Sequence, residues 1–196
     1  MAMYKYSLFI LSVLLMHFHL AAQNPSAMKG FYGSFKMGPG LVKGNITSAE
    51  TRTTVQFAMH FSVGYFFTRS LQVGITGCGW LFEPYHWTIN EVSGESLANT
   101  MLHIQVYPSQ KYRLYFKGGY GMSTYTNWNP GKDYGQGMGF IAATGYEDFI
   151  GKKELLWGIQ LSYQYGKLRY GNLYTPANQR DRKFQLVDLT MFIGLD

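Results

Sequence analysis

The stretch LLWGIQLSYQY, residues 155–165, decides the fold class because bulky apolar side chains recur at every second position. From Gly158 onward, the residues between them are small or polar. Successive side chains of a β-strand point to opposite faces, so a period of two predicts a strand with one apolar face. The segment LYFKGGYGMS, residues 114–123, has the same alternation and carries Lys117 on its second face.

Strands of this kind recur along the chain and are separated by turn residues. The predicted strands are 30–37, 54–67, 71–81, 101–107, 114–123, 137–147, 155–165 and 187–195. Short connections at 67–70, 108–111 and 148–153 alternate with long polar segments at 38–52, 82–100, 124–134 and 166–183. Short periplasmic turns and longer extracellular loops are typical of outer-membrane barrels. The sequence therefore predicts an all-β fold, an eight-stranded antiparallel up-and-down transmembrane β-barrel.

The composition indicates which face of the strands is dry. Charged residues make up 14% of the chain and aromatic residues 17%, an unusual balance for a surface in water. A barrel of eight strands has an interior just wide enough for side chains to fill, so the bulky rows fit outside against lipid and the small polar rows inside. A soluble, lipocalin-like secreted binding barrel, with its apolar face inside, is the alternative.

The first residues predict export. Lys5 precedes an apolar run that ends in AAQ, which fits a signal peptide over 1–22, followed by a short linker over 23–28 and the barrel domain over 29–196. The apolar run is shorter than the roughly 20 residues of a spanning helix. Cys78 is the only cysteine, which excludes an intramolecular disulfide and a multi-thiolate metal site. The formal charge of +6 is scattered, so nucleic acid is not an expected partner.

Several ionisable residues fall on the small, polar face of the strands, which points into the barrel. They are Lys36, His60, His103, Lys117, Glu147 and Asp188. An unpaired buried charge costs several kcal/mol, so each should meet a partner. We expect Lys36 to pair with Asp188 and Lys117 with Glu147. An ionic plug that keeps a narrow barrel shut is the favoured interpretation, and an ion path is the alternative.

Two residue sets raise the alternative of catalysis. His60 and Ser62 have the His-x-Ser spacing of lipid A deacylase barrels, in which a histidine activates a serine. The long segment 82–100 offers the residue types of a palmitoyltransferase rim. These are Glu83, His86, Glu91, Ser93, Glu95 and Ser96. Any polar loop of that length would contain the same residue types, so the set is weak evidence for catalysis. The prediction is therefore that the protein is not an enzyme and needs no cofactor or metal.

Basic residues cluster around the last long segment. They are Lys167, Arg169, Arg180, Arg182 and Lys183. Guanidinium and ammonium groups suit the phosphates of outer-leaflet lipopolysaccharide, and the alternative is a solvated rim.

The strands RLYFKGGYGMS and LLWGIQLSYQYG, the turn-flanked VYPSQKYRL and the terminal LVDLTMFIGLD resemble small outer-membrane barrels of the OmpA/OmpX type, in the form common in Bacteroidetes-like bacteria. The resemblance covers residues 29–196. One departure is the end of the chain, Leu195–Asp196, where such barrels usually carry an aromatic residue; Phe192 is the nearest and lies on the inward parity.

The resemblance implies a non-enzymatic protein of the bacterial outer membrane. Its loops would contact lipopolysaccharide or an unidentified envelope protein, with a role in envelope integrity or adhesion. The β-barrel assembly machinery would be its partner during biogenesis. A lipid A-modifying barrel enzyme of the deacylase or palmitoyltransferase type is the alternative function.

Overall fold

The computed structural model describes residues 30–45, 52–87, 92–109, 112–127, 134–150, 155–172 and 175–195. The predicted signal peptide and linker lie outside these residues. The strands are β1 Gly30–Gly44, β2 Arg52–Thr68, β3 Leu71–Trp87, β4 Val92–Ser109, β5 Leu114–Asn127, β6 Tyr134–Ile150, β7 Leu155–Asn172 and β8 Thr175–Leu195. Among the described residues, no helix is long and apolar enough to cross a membrane.

The eight strands form one closed sheet in which each strand pairs antiparallel with the next. β8 closes the sheet by pairing antiparallel with β1, so that Phe35 lies opposite Ile193 and Leu41 opposite Val187. Closure leaves no free strand edge, which is what a β-structure surrounded by lipid requires. The predicted eight-stranded up-and-down barrel is confirmed.

A broad band of the outer surface of the barrel is apolar. Phe31 is 84% exposed, and Phe116, Tyr120 and Leu189 are also exposed outside. Lys117, between exposed residues of β5, is buried. The dry side of the strands is therefore the outside, and a soluble barrel with an apolar interior and a polar outer surface is contradicted.

All eight strands are longer than the sequence predicts. They span 14 to 21 residues, and β7 and β8 include most of the segment 166–183 that was predicted to be a loop. The reason in β7 and β8 is an inversion of polarity along the strand. On the loop side, Lys167 and Lys183 are exposed outside, whereas Leu168 and Phe184 are buried inside. The prediction of a long loop there was wrong because a strand that leaves the membrane has a wet outer face and a packed inner face.

The interior has three layers, whereas the sequence predicted small and polar side chains throughout. A turn-side layer of buried apolar and aromatic residues contains Tyr32, Phe66, Tyr107, Tyr115, Leu156 and Phe192. A loop-side layer contains Val42, Ala58, Cys78, Trp80, Leu97, Met101, Tyr125, Ile141, Leu168, Phe184 and Leu186. Between them lies a polar belt, whose buried members include Lys36, His60, Ser62, Thr76, His103, Lys117, Gln160, Ser162 and Asp188. The polar belt is therefore covered on both sides.

Candidate functional site

The structure buries all six ionisable residues that were predicted to face inward, but their partners differ from those predicted. Asp188 on β8 is at the centre of one group. Its Oδ2 accepts a hydrogen bond from Ser162 Oγ at 2.6 Å and lies 3.3 Å from His60 Nε2. β1 separates β2 from β8, and its Gly40 faces the interior here, where a Cβ would lie 3.0 Å from Cβ of Asp188. A glycine at this position leaves room for Asp188 and His60 to meet.

Lys117 forms a second group with hydroxyl and imidazole side chains. Its Nζ donates to Ser62 Oγ at 3.1 Å and to Thr76 Oγ1 at 2.5 Å. Ser62 and Thr76 share a hydrogen bond of 2.9 Å, and Thr76 Oγ1 lies 2.9 Å from His103 Nδ1. Four strands therefore contribute to this one hydrogen-bonded group.

The predicted pairing of Lys117 with Glu147 is wrong. Lys117 lies opposite Ala143 in the β5–β6 register, and Glu147 is four residues further along, beside Arg113, whose carbonyl accepts its backbone N–H. Four residues correspond to roughly 13 Å along a strand, beyond the reach of a direct contact. Glu147 instead accepts a hydrogen bond of 2.7 Å from Tyr107, which lies in the turn-side layer.

The predicted pairing of Lys36 with Asp188 is wrong for the same reason. In the β1–β8 register Lys36 lies opposite Phe192, and Asp188 lies opposite Gly40. Lys36 Nζ donates to Gln160 Oε1 at 2.7 Å and sits 4.3 Å from the ring centroid of Phe192. The contact with the ring gives this ammonium group a cation–π interaction at the border of the turn-side layer.

His60 and Ser62 do not form the histidine–serine pair that their spacing suggested. Ser62 bonds to Thr76 and Lys117, whereas His60 contacts Asp188. Both side chains are buried in the polar belt, and a nucleophile needs access to its substrate as well as a base.

The palmitoyltransferase-like set lies mainly on β3 and β4, whose register places Glu83 opposite Glu95 and His86 opposite Ser93. Of its members, Glu95 accepts a hydrogen bond of 2.7 Å from Asn127, and Ser96 lies next to Glu95 on β4. The side chains of Glu83, His86, Glu91 and Ser93 lie outside the described part. No group of three metal-ligating residues occurs among the described residues.

The predicted basic cluster is divided by the barrel wall. Lys167, Arg169 and Lys183 are exposed on the outer face of β7 and β8, whereas Arg182 has the inward parity and is partly buried. The side chain of Arg180 lies outside the described part. Arg169 Nε is 3.8 Å from Asp181 Oδ1, an exposed ion pair. Of the four predicted cations whose side chains are described, three therefore lie on the outer face.

A surface groove beside these cations was not predicted. It has a volume of about 370 Å³ and runs from Tyr165 on β7 across β8, between Asp181 and Gln185, to the C-terminal end of β1. Its lining is Lys43, Gly44, Asn45, Tyr165, Asp181, Lys183, Phe184 and Gln185. We call it the seam groove, because it lies where the first strand meets the last. Tyr165 was the last residue of a predicted strand, and the sequence signal for Lys43 was the alternation that continues beyond the predicted end of the first strand.

These features define a closed transmembrane barrel with a covered polar interior and outward cations on its loop side. Neisserial surface protein A has a similar fold: the match has a TM-score of 0.55 and 12% sequence identity, and covers 85% of this chain and 96% of that protein. The attachment invasion locus protein of Yersinia pestis, Ail, matches with a TM-score of 0.52 and 11% identity over 86% of this chain and 100% of Ail. No family model and no curated protein sequence matches the chain.

Proposed function

We propose that the protein is a non-enzymatic integral barrel of the bacterial outer membrane that contacts lipopolysaccharide through its loop-side cations. The proposal includes export through a cleaved signal peptide and insertion by the β-barrel assembly machinery. It also assigns the protein to the form of these barrels that is common in Bacteroidetes-like bacteria. This assignment rests on the sequence pattern alone. The role in the cell is envelope integrity or adhesion, through the lipid contact or through an unidentified envelope protein.

The observation that carries the proposal is the vertical order of the outer face. Along β7, Trp157, Ile159 and Leu161 are exposed and apolar, Tyr163 follows, and Lys167 comes above it. Hydrocarbon contacts the first group, a tyrosine suits the membrane interface, and an ammonium group suits the phosphates of the headgroups. This order matches the layers of a lipid leaflet from the bilayer midplane, through the interface, to the headgroups.

The interior supports a structural role for the wall. The polar belt lies between two layers of packed apolar residues, which supports a barrel without a continuous water path. We infer that ions do not pass through the barrel and that the charged residues inside hold strands together. Asp188 alone connects β2, β7 and β8 through His60 and Ser162.

The test is lipopolysaccharide binding by the purified barrel in detergent. The triple variant Lys167→Gln, Arg169→Gln, Lys183→Gln should bind at least fivefold more weakly, because a cation in contact with an anionic headgroup contributes about 1 kcal/mol, a factor of about five. Arg69→Gln, on the turn side, is the matched control and should bind as the wild type does. Equal affinity of the triple variant and the wild type would contradict the proposal.

A second experiment separates this proposal from the enzymatic alternative. Cells that lack the protein should have lipid A of unchanged acyl mass. A changed mass that is restored by the wild-type protein but not by His60→Ala or Ser62→Ala would overturn the non-enzymatic assignment.

A further inference from the structure

The seam groove contains more positive than negative charge. Lys43 and Lys183 line it with the single carboxylate of Asp181, whose charge is partly balanced by Arg169 at 3.8 Å. Lys167 lies directly opposite Lys183 in the β7–β8 register, outside the lining. Two ammonium groups against one carboxylate leave the lining with a net positive charge, which favours an anionic ligand.

The groove also has neutral donors that are fixed in place. The Oδ1 atom of Asn45 accepts the backbone N–H of Lys183 at 3.0 Å, which leaves the amide NH₂ of Asn45 as a donor. The backbone N–H of Asn45 donates in turn to the carbonyl of Lys183 at 3.4 Å. Asn45 is therefore held against β8 by two hydrogen bonds, and a ligand that contacts it would meet a rigid partner.

The position of the groove indicates where its ligand resides. Tyr165 lines it, and the ring of Tyr165 packs 5.8 Å from that of Phe140 on the outer wall. Tyr163 also contacts Phe140, with 6.0 Å between ring centroids. This aromatic group lies just above the apolar wall, at the level where rings mark the membrane interface. An anion in the groove would thus lie at the height of lipid headgroups.

We propose that the seam groove binds one phosphate group of an outer-leaflet glycolipid, and that the bound phosphate stabilises the junction of β1 and β8. The inference rests on the proposed contact with lipopolysaccharide and assigns it to a particular site. Lys43 belongs to β1, Asn45 follows it directly, and Lys183 belongs to β8, so the site is complete only when the barrel is closed. A ligand that binds only the closed form stabilises that form by mass action.

The experiment measures affinity and the thermal midpoint of unfolding for the purified full barrel in detergent. Its probes are lipopolysaccharide, the same lipopolysaccharide after chemical removal of its phosphates, and inorganic phosphate. Intact lipopolysaccharide should raise the midpoint, and the other two should raise it little. Lys43→Gln and Lys183→Gln should each weaken binding of the intact lipid about fivefold, since one cation near an anionic surface contributes about that factor.

Lys167→Gln is the matched control, because it removes the same charge from the same face without changing the lining of the groove. It should weaken binding less than about twofold, as a screened, exposed charge does. Lys183→Arg keeps the charge and should retain binding. Equal losses from all three glutamine variants would overturn the seam groove while leaving the lipopolysaccharide contact standing. Intact lipopolysaccharide that fails to bind the wild type would overturn both proposals.

Two further outcomes bear on the ligand and on closure. If inorganic phosphate raised the thermal midpoint of unfolding as much as the intact lipid does, the assignment to a glycolipid would be overturned. Binding of the intact lipid with no rise in the midpoint would overturn the stabilisation of the β1–β8 junction.

Discussion

At a pH where His60 is protonated, the substitution Asp188→Asn should lower the free energy of unfolding by about 3 kcal/mol, since removing one partner of a buried charged pair costs about 3–5 kcal/mol. The carboxylate is fully buried, 3.3 Å from His60 Nε2 and 2.6 Å from Ser162 Oγ. The new amide keeps an oxygen that can accept from Ser162, which places the expected loss at the lower end. It removes the charge that faces the imidazole.

The assay is a urea titration of the refolded barrel in detergent micelles, followed by tryptophan fluorescence and by heat-modifiable gel mobility. Asp148→Asn is the control: its carboxylate is 46% exposed and 3.8 Å from Arg113 Nε. An exposed pair of this kind contributes less than about 1 kcal/mol. Equal losses from the two substitutions would refute the reasoning. His60→Gln combined with Asp188→Asn should show a coupling of about 1–3 kcal/mol, as expected for side chains in contact.

Four further predictions concern the interior, the glycines, the lipid-facing wall and conductance. Lys117→Met should change the unfolding free energy by less than about 1.5 kcal/mol, because its two hydroxyl acceptors remain bonded to each other and the replacement has a similar length. A loss above about 3 kcal/mol would show that the ammonium group is essential to the polar belt. Gly121→Ala should lower stability by about 1–3 kcal/mol, because its Cβ meets the carbonyl of the neighbouring strand, whereas Gly118→Ala on the same strand has open space and should be neutral. Equal urea midpoints for the two glycine variants would contradict this. Leu102→Arg should cost about 2–4 kcal/mol in a bilayer, and Val55→Arg, near the loop-side strand end, about 0–1 kcal/mol; equal costs, from folding titrations in vesicles, would contradict the inferred membrane position. Planar-bilayer recordings should show no steady conductance, and a stable open level would contradict the covered interior.

The faces of the strands could be predicted from the sequence, and the partners within the barrel could not. Alternation alone placed Lys36 and Lys117 on the inner face, because the side-chain period of a strand is two. Which residues meet across the interior depends on the stagger between strands, and the sequence does not contain that number explicitly. Lys36 therefore meets Gln160 on β7 rather than the acid on β8.

The ends of the strands were mispredicted because the rule used to find them changes at the membrane surface. Inside the bilayer, the residues on the outer face of a strand are apolar, and those on the inner face include polar ones. Above it, Lys183 is outside, and Phe184 and Leu186 are inside. A prediction that requires the apolar face to point the same way along the whole strand therefore ends the strand where the polarity reverses. The same reversal hid the seam groove, since Lys43 was assigned to a loop.

The buried side chains of the polar belt find their partners only when the last strands of the barrel have joined the sheet. Lys36 lies on β1, and its acceptor Gln160 is 124 residues later on β7. His60 on β2 meets its carboxylate only when β8 has joined the sheet. Until then an ammonium group and an imidazole face the inside of an unfinished sheet, where lipid cannot solvate them. A chain that stops short of β8 therefore loses more than one strand of hydrogen bonds, since it carries cations that hinder its entry into the bilayer.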